Sequence, residues 1–116
     1  MTDACLVLVT APSADKAAEL ARTVVEEKLA ACGNILPGIR SIYRWEGKVQ
    51  DDAEAFILFK TRTALFEALR ARLVALHPYQ VPEVLRVDLA AGHAPYLAWI
   101  LDSTRASTPI GGSGAD

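Results

Sequence analysis

The densest run of residues able to do chemistry is His77-Pro78-Tyr79-Gln80-Val81-Pro82-Glu83. An imidazole, a phenol and a carboxylate share one short segment, and two prolines restrict the backbone that aims them. Rigid polar connections on a scaffold are common places for binding sites. The same run also reads as a helix end, because the residue before a proline is pushed out of the α region and His77 can cap the last carbonyls. Both readings stay open at this level. One chemistry on offer is metal ligation: His77, Glu83 and Cys32 are donor types suited to copper or zinc. Their spacing matches no metal motif, however, and a lone cysteine is more often a small apolar residue. Lys60, Arg40 and Arg44 offer an anion-binding wall, or simply the solvated side of a strand.

Other chemistries find no footing. Ser13 and Ser41 lie in no nucleophile elbow, and neither HExxH nor CxxC occurs. The glycines from Gly111 to Gly114 follow no strand and open no helix, so they do not form a phosphate loop. With no nucleophile–base pair to name, an enzyme is not expected. The 12 Lys+Arg against 14 Asp+Glu give a formal net charge of -2, which argues against a nucleic-acid partner. Cys5 and Cys32 are far apart and suit a reducing compartment. No apolar run approaches the ~20 residues that span a bilayer. A cytoplasmic protein with no membrane partner is the expectation.

The elements that must position these residues follow from periodicity. The apolar run Ala4 to Thr10 predicts a central strand covered on both sides. Ser13 is placed to cap a helix with Asp15 in its first turn. Ala17, Ala18, Ala21, Val24, Val25 and Leu29 form that helix's apolar face, and Gly33-Asn34 supplies its stop. Ile35 to Trp45 and Val49 to Thr61 alternate as strands around Glu46-Gly47, where Gly47 can take positive φ. Arms of about ten residues exceed the usual strand of roughly 5–6. Such a hairpin overshoots so small a domain and leaves Ile42, Tyr43 and Trp45 wet unless partner subunits cover them. Thr63 is expected to cap a second helix ending at His77-Pro78. Val84 to Leu89 follows as a strand, His93 falls in a turn, and Pro95 starts a last helix. The order β-α-β-β-α-β plus a terminal helix predicts an α+β, ferredoxin-like domain with both main helices on one sheet face. Its expected bounds are 1–103, with 104–116 a tail lacking periodicity.

Taken together, VTAPS (Val9–Ser13), EEKLAACGNILPGIRSIYRWEGKV (Glu26–Val49), FKTR (Phe59–Arg62), HPYQVPE (His77–Glu83) and PYLAWI resemble the CutA divalent-cation tolerance family, in order and spacing, to about Ser103. The resemblance implies a tight homotrimer, similar in architecture to the PII signalling proteins, with long hairpins extending each sheet onto its neighbour. It also implies association with copper tolerance and Cu(II) binding. Polar residues shared by the family, gathered between subunits, map to Cys32, Tyr43, Trp45, Lys60, His77, Tyr79 and Glu83. Some relatives carry a thiol where this chain has Val9 and a further histidine where it has Leu76, which leaves His77 as the expected metal ligand. A PII-like trimer binding a small anionic ligand in the intersubunit cleft, or a purely structural anchoring trimer, are the alternatives.

Overall fold

The continuous β-branched and apolar stretch near the N-terminus folds as β1 (Ala4–Ala11), the inner strand between two others. The computed structural model describes residues 2–105; the expected tail therefore lies almost wholly outside the described residues. After β1 come α1 (Ala14–Glu26), β2 (Cys32–Trp45), β3 (Lys48–Arg62), α2 (Phe66–Leu76), β4 (Val84–Asp88) and α3 (Ala94–Ser103). The sheet order is β2-β3-β1-β4, with every pair antiparallel. This is the βαββαβ arrangement expected, with the additional C-terminal helix.

Register explains the layers. Cys5, Val7, Val9 and Ala11 pair with Thr61, Phe59, Ile57 and Ala55, and all eight are fully buried beneath the helices. α1 lays Ala17, Leu20, Ala21 and Val24 on them, and α2 adds Leu69 and Leu73. Alanines let the helix approach closely. A Cβ on Gly33 would sit 2.9 Å from Phe59 Cε1 and 3.1 Å from Ala21 Cβ, so glycine is what the packing admits there. Alternate residues face the other way: Leu6, Leu8 and Thr10 on β1, Phe56, Leu58 and Lys60 on β3, Leu85 and Val87 on β4. Among the described residues, α3 covers only the Ala4 end of that face and no helix covers the rest. The expectation of a strand covered on both sides thus holds for only one side within the chain.

Ser13 caps α1 as expected, its Oγ accepting from the Lys16 N–H at 3.1 Å. The helix stops earlier than Gly33-Asn34. Lys28 takes φ 63°, while Leu29 N–H donates to the Val24 carbonyl and Lys28 N–H to that of Val25. This 6→1 and 5→2 pair is a Schellman cap, here closed by a lysine where glycine is usual. It turns Leu29 back onto the core and frees Gly33 and Asn34 to join β2. Thr63 opens a 3-10 turn, Thr63–Leu65, and α2 starts after it without a side-chain cap.

The hairpin turns through Glu46 at φ 52° and Gly47 at φ 77°. Two successive positive φ values make the tight primed turn that matches strand twist. Between Leu36 and Ile39 the ladder carries a bulge, where Pro37-Gly38 faces Ala55 alone. Beyond it, Lys48 to Glu54 pair with β2 only, because β1 has ended. Seven residue pairs therefore form a free arm of about 24 Å. The radius of gyration, 15.5 Å, exceeds the ~13 Å of a compact chain this long, and the long axis reaches 53 Å.

Candidate functional site

The arm and the 77–83 loop face one another at the end of β1. Where α2 ends, His77 is extended and its ring turns inward, 8% exposed. Nε2 lies 2.8 Å from the Thr10 carbonyl, and Nδ1 lies 3.1 Å from the Tyr79 amide nitrogen. A carbonyl only accepts and an amide N–H only donates, so the ring is the neutral tautomer with its proton on Nε2. His77 thus caps α2 as expected, through its backbone N–H, which donates to the Leu73 carbonyl, while its ring braces β1 against the loop. Tyr79 stacks against it at 4.7 Å between ring centroids and donates its hydroxyl to Glu54 Oε2 at 2.5 Å. On the arm, Tyr43 donates to Asp52 Oδ2 at 2.6 Å.

Beside this brace lies a groove of about 930 Å³, with Tyr43, Trp45, Asp52, Glu54, Tyr79 and Glu83 supplying its chemistry. Among the described residues no lysine, arginine or histidine lines it, so as a single-chain surface it suits a cation better than an anion. Burial and the neighbouring Glu54 charge push the Glu83 carboxyl up from its ordinary value. Burial first, and then the bond to Glu54, raises the Tyr79 phenol, while the bond to Asp52 raises that of Tyr43. Glu83 is half-buried and makes no side-chain hydrogen bond or ion pair among the described residues.

Of the seven residues singled out in sequence, Tyr43, Trp45, His77, Tyr79 and Glu83 come together here. Cys32 and Lys60 do not. They pair with each other across β2 and β3, and Lys60 sits beside Leu6. Thr10, where His77 is anchored, is four residues further along β1, about 13 Å away. Cys32 Sγ has only Asn34 Oδ1 near it, at 3.8 Å. Lys60 Nζ donates to the Tyr96 hydroxyl at 3.3 Å and lies 5.5 Å from that ring's centroid, with Trp99 stacked on Tyr96.

Copper does not fit these residues as they stand. Both His77 nitrogens are engaged, Cys32 is remote, and no three His, Cys, Asp or Glu side chains among the described residues are placed to hold a metal. Two residues that the sequence reading missed, Asp52 and Glu54, anchor the tyrosines. Counting back from the two-residue turn would have found Asp52, since that register sets Ser41 opposite it and Tyr43 one pair away; the contact of Glu54 with Tyr79 joins the hairpin to the loop and needs the tertiary fold.

Residues 5–103 match the model of the CutA1 divalent ion tolerance protein family. The chain belongs to that family. It is 48% identical over 99 residues to the divalent-cation tolerance protein CutA of Thermus thermophilus, covering 85% of this chain and 96% of that one. The chloroplastic CutA of Arabidopsis thaliana is 48% identical over 100 residues, covering 86% of this chain, and this chain spans 55% of that protein's length. The solved Thermus Cut A1 structure superposes with a TM-score of 0.85 at 47% identity, over 88% of this chain and 99% of that one. CutA from Xylella fastidiosa gives 0.87 at 39%, over 90% and 100%. The βαββαβ sheet with a long hairpin and a terminal helix is therefore the CutA1 fold. CutA relatives occupy different compartments by name, one chloroplastic and another, from Archaeoglobus fulgidus, periplasmic. No helix among the described residues of this CutA chain is long and apolar enough to cross a membrane.

Proposed function

We propose that this CutA chain serves divalent-cation tolerance as a cytoplasmic, non-enzymatic homotrimer, with copper as the cation first in question. The observation that carries the assembly is the bare sheet face. Leu8, Phe56, Leu58, Leu85 and Val87 form one apolar surface opposite α1 and α2, with Leu85 55% exposed. The arm carries Tyr43 and Trp45 on this side and Ile42 and Val49 on the other, all exposed. Contiguous apolar surface on this scale marks an interaction face. Two edges, β2 and β4, are also left with open backbone groups that another copy's strand can pair.

Growth of cells lacking their own CutA on elevated copper tests the function. Wild type should restore tolerance, and Leu58→Glu, which places a charge on the bare face, should not. Equal rescue by both removes assembly from the reading. For the metal itself, ligation at His77 requires the ring to leave Thr10 or Tyr79 first. Calorimetric titration with Cu(II) decides it: saturable binding lost in His77→Ala supports imidazole ligation through such a rearrangement. No binding to wild type removes copper and leaves the trimer. A small anionic ligand, the competing reading, finds its cation on the sheet face at Lys60, away from the acidic groove.

A further inference from the structure

α3 has little of its own to keep it in place. At ten residues it is shorter than the ~12–15 that an isolated helix needs to hold in water. Its N-terminus has no side-chain cap, and its last turn has no basic residue to meet the final carbonyls. Ile100 alone among its described residues is buried, seated with Ala4 and Ala31 in a small cluster apart from the main core.

The missing cation comes from β3. Arg62, which pairs with Ala4 in the sheet, donates through Nη2 to the Leu101 carbonyl and through Nε to Thr104 Oγ1 at 3.1 Å. Thr104 is 2% exposed and donates in turn to the Ile100 carbonyl at 2.9 Å. A guanidinium placed there meets both the orphan carbonyls and the negative end of the helix dipole. Arg62 forms no ion pair among the described residues, so its charge is directed at the end of α3. Before α3 the chain has a pivot. Leu89 is pinned, its N–H donating to the Ala4 carbonyl at 3.3 Å and its own carbonyl accepting from the Thr2 N–H at 3.1 Å. From Ala90 to His93 every residue is exposed, and Ala90, Ala91 and Gly92 make no backbone hydrogen bond among the described residues.

We propose that α3 is a strap that swings off the sheet as a unit about residues 90–93, with Arg62 as its latch. Opening parts Lys60 from the Tyr96 hydroxyl and uncovers Ala4 and Ala31, while β1, β3, α1 and α2 keep their shared core. Such an opening costs less than unfolding the domain, because it breaks the latch and one small cluster only. The latch lies within one chain and acts whatever covers the rest of the sheet face.

Hydrogen exchange of the full chain in low urea, at one fixed concentration, tests this. In wild type, α3 amides should exchange faster than those of β1 and β3, and with a weaker urea dependence, since opening exposes less surface. Arg62→Met keeps the apolar stem and loses the guanidinium. It should speed α3 exchange by about tenfold to a hundredfold, and Thr104→Val should act in the same direction by less. Arg62→Lys should recover part of the loss. Val24→Ala, which weakens the main core on the other side of the sheet, should speed exchange in β1 and leave α3 at its wild-type rate. Unchanged α3 exchange in both Arg62→Met and Thr104→Val overturns the latch. α3 amides that share the free energy and urea dependence of β1, and quicken with it in Val24→Ala, overturn the strap.

Discussion

Replacing His77 separates a structural brace from a metal ligand. His77→Ala removes a ring only 8% exposed and leaves the Thr10 carbonyl and the Tyr79 N–H without their partners. A buried group so orphaned costs about 1–3 kcal/mol. Water can reach the loop side more easily than β1, so we expect a total near the middle, about 2–4 kcal/mol, including lost contact with the Tyr79 ring. For a domain of this size that corresponds to roughly 10–25 °C in Tm. His77→Gln, which carries both a donor and an acceptor, should recover part of the loss. The assay is thermal and urea unfolding of metal-free protein at one fixed concentration, with hydrogen exchange at the Tyr79 amide as the local readout. Exchange there should speed up in the alanine variant and slow again in the glutamine variant. A metal-free His77→Ala protein that unfolds with wild type, with Tyr79 still protected, would refute the brace.

Gly33→Ala should destabilise by about 1–3 kcal/mol in urea, because the new methyl must displace the buried Phe59 ring or α1; adding Ala21→Gly should recover part of it. Glu46→Asn should stabilise by about 0.5–1 kcal/mol in the same assay, since asparagine accepts the φ of 52° that glutamate holds at the turn. Burial pushes the Cys5 thiol up to about 11. The folded state thus keeps its proton more tightly than the unfolded chain does. That contribution is complete below the unfolded thiol's pKa, near 9, and is lost as pH rises through 11. Wild type should therefore lose more stability than Cys5→Ala across that window, and iodoacetamide at pH 8 should leave Cys5 unmodified until the protein is denatured.

Much of this molecule could be read from particular residues. Ser13, Glu46-Gly47 and His77-Pro78 each mark a boundary through local backbone chemistry, and the structure places the boundaries there. α1 ends before Gly33-Asn34 because a lysine occupies the left-handed cap, where sequence signals point to glycine. Gly33 looked like a helix stop, yet its small size serves the approach of Ala21 and Phe59, a tertiary demand invisible in local sequence. For the site, His77, Tyr79 and Glu83 were legible because prolines frame them. Asp52 and Glu54 carry no local signal: hairpin register sets Asp52 beside Tyr43, and the docking of the loop on the arm sets Glu54 beside Tyr79. That Cys32 and Lys60 fall at the far end of the sheet also follows from register, which composition cannot convey.

We propose above that the bare sheet face and the arm are surfaces between copies of this chain. Native mass spectrometry of the wild-type protein at micromolar concentration tests it most directly. One dominant species at three times the 12.5 kDa chain mass is expected, with a shift toward single chains in Leu58→Glu. A wild-type spectrum dominated by the single chain would contradict it.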